Sequence, residues 1–185
     1  MKSLFIQEKI KFTGEQLLSH WTYKNYDLLG DSIVVFAGPC EIEEQFMVAL
    51  DHIKKKNTVY SENMLHFLVE HFELGLEKAI LRQKLLVAII KDKLNHRLGG
   101  DLLQRWGDDI YDEDAKLTVS TVAITPVSTK IHLGINISSK NTPVKTKGLE
   151  DYKIDPFDIG QVVMNQYILD MRRISERIAK SRYIE

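Results

Sequence analysis

The sequence predicts an α/β (α+β) protein built on a mixed, largely antiparallel sheet with flanking helices. Three observations carry that expectation. Runs rich in Val, Ile, Thr and Phe recur at 31–37, 64–72, 116–124 and 130–137, and the last two are separated only by a turn. Two long stretches, 75–98 and 157–179, instead repeat apolar residues at helical spacing. The chain has 185 residues, 44% of them hydrophobic. That length suits one domain, residues 1–185, able to bury about 70% of its unfolded surface without staples.

The elements follow in order. Gln16 to Tyr26 reads as a short helix or a loop. Asp31 to Ala37 is β-branched and continuous, as in a strand buried on both faces, and Gly38-Pro39 signals a turn after it. Glu41 to Lys56 predicts a helix, with Glu43-Glu44 at its start and Lys54-Lys55-Lys56 at its end to suit the dipole. Met64 to Phe72 reads as the second strand, although its spacing also permits a helix. Gly75 to Leu98 carries Leu76, Ala79, Ile80, Leu86, Ile90 and Leu94 on one apolar face, and Gly99-Gly100 ends it. Leu102 to Trp106 is a short strand. Lys116 to Ile124 and Lys130 to Ile137 form a hairpin around Pro126. Asn141 to Asp158 is loop-rich, and Phe157 to Ala179 is the last helix.

Charge removes some functions. Lys and Arg number 25 against 26 Asp and Glu, a formal net charge of −1. A general electrostatic nucleic-acid binder needs a basic excess, so no nucleic acid is expected. The single cysteine, Cys40, excludes an internal disulfide framework and a cysteine-rich zinc site. Met1 to Gly14 lacks the apolar run of a signal peptide, and no stretch reaches the roughly 18 apolar residues of a membrane span. The expectation is a cytoplasmic protein away from the membrane.

The chemistry concentrates between Lys78 and Asn136. A helix and Gly-Gly lead to Arg105-Trp106-Gly107-Asp108-Asp109-Ile110, then to Lys116-Leu117, then to Gly134-Ile135-Asn136. This order resembles the catalytic domain shared by biotin protein ligases and lipoate–protein ligases. There a Lys-Trp-Pro-Asn-Asp-Leu strand, a Lys-Leu strand and a Gly-Ile-Asn strand succeed one another. As a whole, the sequence is also similar to an uncharacterised conserved prokaryotic family of unknown function.

The resemblance implies a ligase-like or transferase-like enzyme for a small carboxylated or heterocyclic ligand. It implies Lys116 as the catalytic cation, stabilising negative charge on the activated acid. Trp106, Asp108, Asp109, Gly134, Asn136 and His66 are the candidate substrate-binding residues. The Gly134 backbone would admit a ligand closely, and Asn136 would hydrogen-bond it. The family's ligases hold phosphate on a Gly-Arg-Gly-Arg loop. Here Lys54 to Glu62 stands in its place, with no Gly and no Arg. ATP with Mg²⁺ is therefore the cofactor the resemblance offers but the loop does not support. An acceptor protein and a homodimer complete the implied partners. The alternative is a binding or assembly module that keeps the fold without adenylation, and a transferase using a preactivated acyl donor is a third form.

Plainer readings stand beside these. Alone, Lys116 is a solvated lysine at a strand start; with its flanking motifs the ligand contact is equally strong. Asp108 to Asp114 also reads as a solvated acidic turn. It admits a hard cation, but its spacing matches no calcium loop and no metal site is assigned. In an extended 64–72 run, His66 and Glu70 share one face and His71 takes the other. A pocket-facing His66 can act as a general acid or base, and a hydrogen-bonded strand histidine is the plainer role. His132 and Asn136 likewise share a face. His20, Trp21, Tyr23 and Tyr26 read more simply as a cover over the core than as a stacking platform. Lys54 to Lys56 reads as a solvated helix end, and Cys40 as a packing residue.

Overall fold

In the computed structural model, residues 1–48, 50, 54, 59–182 and 184 are described. Among the described residues, eight strands and three helices of six or more residues form around two sheets. Strands β1 (Lys2–Phe5), β2 (Ser32–Glu41), β3 (Tyr60–His71), β7 (Thr118–Ile124) and β8 (Thr129–Asn136) make the main sheet in the order β1-β2-β3-β8-β7. Only β1 and β2 pair in parallel; the other neighbours are antiparallel. Strands β4 (Gln104–Trp106), β5 (Asp109–Asp112) and β6 (Ala115–Lys116) form a small antiparallel sheet. The expected mixed, largely antiparallel architecture with helices is the one observed.

Strand alternation divides the core in two. Ile33, Val35, Leu65, Phe67, Val69, Ile131, Leu133 and Ile135 face one way. Helices α2 (Leu76–Leu98) and α3 (Pro156–Lys180) cover them with Leu86, Val87, Ile90, Leu94, Ile159, Val163 and Tyr167. Gly99 ends α2 at φ 74°, the left-handed conformation glycine takes at low cost. Asp155 caps α3 by accepting the Asp158 N–H at 2.8 Å. His71 ties α3 down. It lies between the Asp31 carboxylate at 2.8 Å and the Tyr167 hydroxyl at 3.0 Å.

The opposite face carries Val34, Phe36, Met64, Leu68 and Ala123. It is covered by the segment from Ile6 to Leu28, including the short helix α1 (Trp21–Tyr26). Trp21 packs 5.5 Å from Tyr26 and 6.4 Å from Phe36, which makes this group a hydrophobic cover. Here also lies a buried ion pair, Glu70 with Lys130 at 2.9 Å. Glu70 accepts three further hydrogen bonds, from the His20 N–H, the Thr22 hydroxyl and the Ser128 hydroxyl.

Three expectations change. The turn at Gly38-Pro39 is a β-bulge, and β2 continues to Glu41. The reason is the chain before it. Residues Ile6 to Phe12 run beside β2, with Ile10 N–H on Ala37 O at 3.0 Å and Phe12 N–H on Pro39 O at 2.8 Å. Gly38 permits this approach, because a Cβ there would stand 2.1 Å from the Ile10 carbonyl oxygen. The helix expected from Glu41 therefore begins later. Glu44–Phe46 is a single 3₁₀ turn, Leu50 and Lys54 are helical, and the rest of the run to Lys56, with Lys55 and Lys56, lies outside the described residues. Strands β1, β5 and β6 were not expected; each is four residues or shorter. Among the described residues, no helix is long and apolar enough to cross a membrane.

Candidate functional site

The small sheet positions the first functional pair. Strand β5 pairs with β6 so that Tyr111 lies opposite Lys116. Asp109, two residues before Tyr111, is then the diagonal neighbour of Lys116 on the same face. Their side chains meet at 2.8 Å, both largely buried. The Lys116 backbone is held from both sides: its N–H donates to Lys145 O at 3.0 Å, and its carbonyl accepts from the Lys147 N–H at 3.2 Å. The Asn136 amide also reaches that carbonyl, at 3.4 Å. Burial pushes the Asp109 carboxyl above its usual range, against the pull of Lys116 and the Thr118 hydroxyl.

This pair stands at the wall of a cavity of about 100 Å³. Leu17, Ile42, Phe46, Val59 and Val119 give it an apolar body, and Lys116, Asp109 and His132 supply its polar end. Such a lining suits a small molecule with an apolar body and an anionic or hydrogen-bonding end. The Lys116 ammonium has donors beyond the one Asp109 takes.

His132 leads deeper. It lies diagonally across from His66, because Leu68 pairs with His132 and His66 with Gly134. The rings join at His66 Nδ1 and His132 Nε2, 3.0 Å apart, and His66 Nε2 lies 3.1 Å from Gly38 O. Phe12 stacks on His132 with centroids 3.6 Å apart and planes 8° from parallel. Burial lowers the His66 pKa to about 4, and it holds His132 well below its usual value. Both rings are neutral near pH 7.

The other candidates separate. His66 is buried behind His132 and is not part of the cavity lining. Asn136 holds the backbone of Lys116. The space above Gly134 is taken by Met64, whose methyl would lie 2.9 Å from an added Cβ. Asp108 turns outward to Lys84 of α2. Trp106 is 77% exposed, with Tyr111 5.9 Å away at its edge, and lies apart from the cavity lining. Cys40 is buried, and its thiol pKa is pushed up to about 12, as suits a packing residue. Among the described residues, no group of three or more His, Cys, Asp or Glu is placed to hold a metal. Sequence reasoning named His132 but missed its bond to His66, and it missed Phe12. The shared period-two face of His66 and Glu70 was the available signal.

The family described as a domain of unknown function, DUF366, matches residues 1–182. The uncharacterized protein MJ0805 of Methanocaldococcus jannaschii is 37% identical over 98% of this chain and 84% of its own. A protein of unknown function from Pyrococcus horikoshi is similar in structure over 100% of both chains, with TM-score 0.94 and 31% identity. The biotin protein ligase of Aquifex aeolicus, in complex with biotin and ATP, matches with TM-score 0.64 and 14% identity over 95% of this chain and 73% of that one. The putative lipoate protein ligase Ta0514 of T. acidophilum, with bound lipoic acid, gives 0.59 and 12% over 94% and 87%. At those identities the likeness is one of fold. The chain belongs to the DUF366 family and has the fold of biotin and lipoate ligase catalytic domains.

Proposed function

We propose that this DUF366 protein binds a small carboxylated or heterocyclic molecule in the cavity beside Lys116, as a ligase-like or transferase-like enzyme. One observation carries the reading: an apolar cavity that ends on a lysine fixed by Asp109. The apolar walls reward an acyl chain or ring, and the ammonium rewards a carboxylate. The fold shared with proteins solved with biotin and with lipoic acid supports the ligand class. On this reading the donor reaches the cavity already activated, and Lys116 stabilises negative charge on its carbonyl oxygen as the nucleophile of an acceptor protein attacks. Asp109 keeps Lys116 in place. The acceptor keeps the acyl group, the donor's activating group departs with the electron pair of the bond that breaks, and the nucleophile's proton goes to solvent.

Among the described residues, the lining fits a carboxylate better than a triphosphate. Among the described residues it brings one cation, Lys116, and no arginine. An acyl donor activated before it binds matches this lining better than ATP does. The second reading, a binding module without adenylation, is favoured by Lys54 to Glu62, which offers neither the glycines nor the arginines of a nucleotide-holding loop.

Calorimetry with lipoic acid and with biotin, each with and without ATP and Mg²⁺, tests both. The expected outcome is binding of an acid that weakens about 10- to 100-fold in Lys116→Ala, the loss of one charged hydrogen bond. The fold of the variant is checked by circular dichroism. Unchanged affinity in Lys116→Ala contradicts the site. Acid binding with no turnover under any condition favours the binding module.

A further inference from the structure

The His66–His132 pair has a direction. Gly38 O can only accept, so His66 Nε2 carries the proton and donates to it at 3.1 Å. In a neutral ring the other nitrogen, His66 Nδ1, is then an acceptor. The contact of 3.0 Å to His132 Nε2 requires His132 to donate there. The neutral His132 ring therefore keeps an unprotonated Nδ1.

Phe12 covers one side of the ring, and the Nε2 edge is spent on His66. His132 nonetheless lines the cavity. Among the described residues, Nδ1 makes no hydrogen bond, and the buried side-chain atoms without partners are Ser61 Oγ, Asn63 Oδ1 and Thr129 Oγ1 only. Nδ1 thus has no hydrogen-bond partner among the described residues, and it belongs to a ring in the cavity wall.

We propose that His132 is a ligand-positioning residue. It presents a fixed hydrogen-bond acceptor, Nδ1, to an N–H or O–H of the molecule in the cavity, and the Gly38 carbonyl sets that tautomer through His66. The substrate class narrows accordingly. The bound molecule carries a donor, such as a lactam or azole N–H or a hydroxyl, on its apolar body. A buried acceptor left unmatched penalises a ligand without that donor, so the pair selects against it. His66 is a positioning residue that acts only through His132. The inference rests on the cavity being a ligand site but not on the role of Lys116.

The test is long-range ¹⁵N–¹H spectroscopy of the histidines at pH 7, with pyrrolidin-2-one as a donor probe and N-methylpyrrolidin-2-one as its donor-free match. The expected free-protein spectrum shows both His66 and His132 protonated at Nε2. Pyrrolidin-2-one then shifts His132 Nδ1, and the N-methyl compound does not. A proton on His132 Nδ1 in the free protein overturns the proposal. So does an equal response to the two probes, or a response to neither. His66→Phe keeps the ring packing and removes the relay; it is expected to leave His132 as a mixture of tautomers and to weaken the pyrrolidin-2-one response several-fold. An unchanged tautomer in that variant overturns the relay, and if it does not fold, the wild-type spectra decide alone. The probes carry no carboxylate, so the wild-type spectra read His132 alone, and failure of the carboxylate reading in calorimetry is told apart from failure of this one.

Discussion

The two faces of the main sheet are built from alternate residues of the same strands, yet they bury different chemistry. The face under α2 and α3 is apolar across β2, β3 and β8 until His71 at its edge. The face under the N-terminal segment buries Glu70, Lys130, His66 and His132 among its apolar residues, and it opens into the cavity. A helix covers a sheet with side chains alone, because its backbone polar groups are already paired. A cover of short turns and loops brings backbone donors and acceptors, such as the His20 N–H on Glu70. The lesson is a division of labour: one face is closed by helices with apolar side chains, and the other, closed by turns and loops, buries polar groups and carries the candidate site.

The contrast breaks most sharply at the buried ion pair. Lys130→Met leaves Glu70 as an uncompensated buried carboxylate and is expected to cost about 3–5 kcal/mol by urea unfolding. Adding Glu70→Gln should recover much of that loss. On the helix-covered face, Leu86→Ala is expected to cost about 2–5 kcal/mol through its cavity, with no second polar change able to rescue it. If the double variant is as unstable as Lys130→Met, the charge explanation is wrong.

Acid sharpens the same contrast. His66 is neutral when folded, with its pKa lowered to about 4 by burial. Below about pH 6.5 the unfolded chain binds a proton the native protein excludes. Stability is therefore full above that pH and is lost as pH falls toward 4, on the order of 3 kcal/mol for this ring. His132 acts with the same sign. Urea unfolding between pH 7.5 and 4.5 should show the decline, and His66→Phe should flatten it. A wild-type profile level across that range would contradict neutral burial.

The smallest effect is expected outside both faces. Trp106→Ala should change stability by no more than about 0.5 kcal/mol and leave acid binding at the cavity intact. A loss of binding in that variant would place the ligand over the small sheet instead.

The helix-covered face was the legible one. Its β-branched runs and the 75–98 periodicity are local signals, and the structure places each within a few residues. Strand β1 was not legible, because four residues with two exposed carry no pattern. The bulge at Gly38 depends on Ile10 and Phe12 arriving from elsewhere. At the site, the order Trp-x-Asp-Asp, Lys-Leu, Gly-Ile-Asn drew attention to Lys116 and Asp109, which do meet. It equally drew attention to Trp106 and Asp108, which turn outward, since alternation and a turn decide direction and a motif does not. The bond between His66 and His132 needed the β3–β8 register, and the cavity wall needed Leu17, the stretch from Ile42 to Phe46, and Val119 from three separate segments.

The central claim is that the polar face holds an acid beside Lys116. A crystal structure of the protein soaked with biotin, an acid whose ring carries N–H donors, tests it most directly. The acyl chain is expected along Leu17, Ile42 and Val119, with its carboxylate on the Lys116 ammonium. A biotin molecule bound away from Lys116, or a cavity that stays empty while calorimetry reports binding, would contradict it.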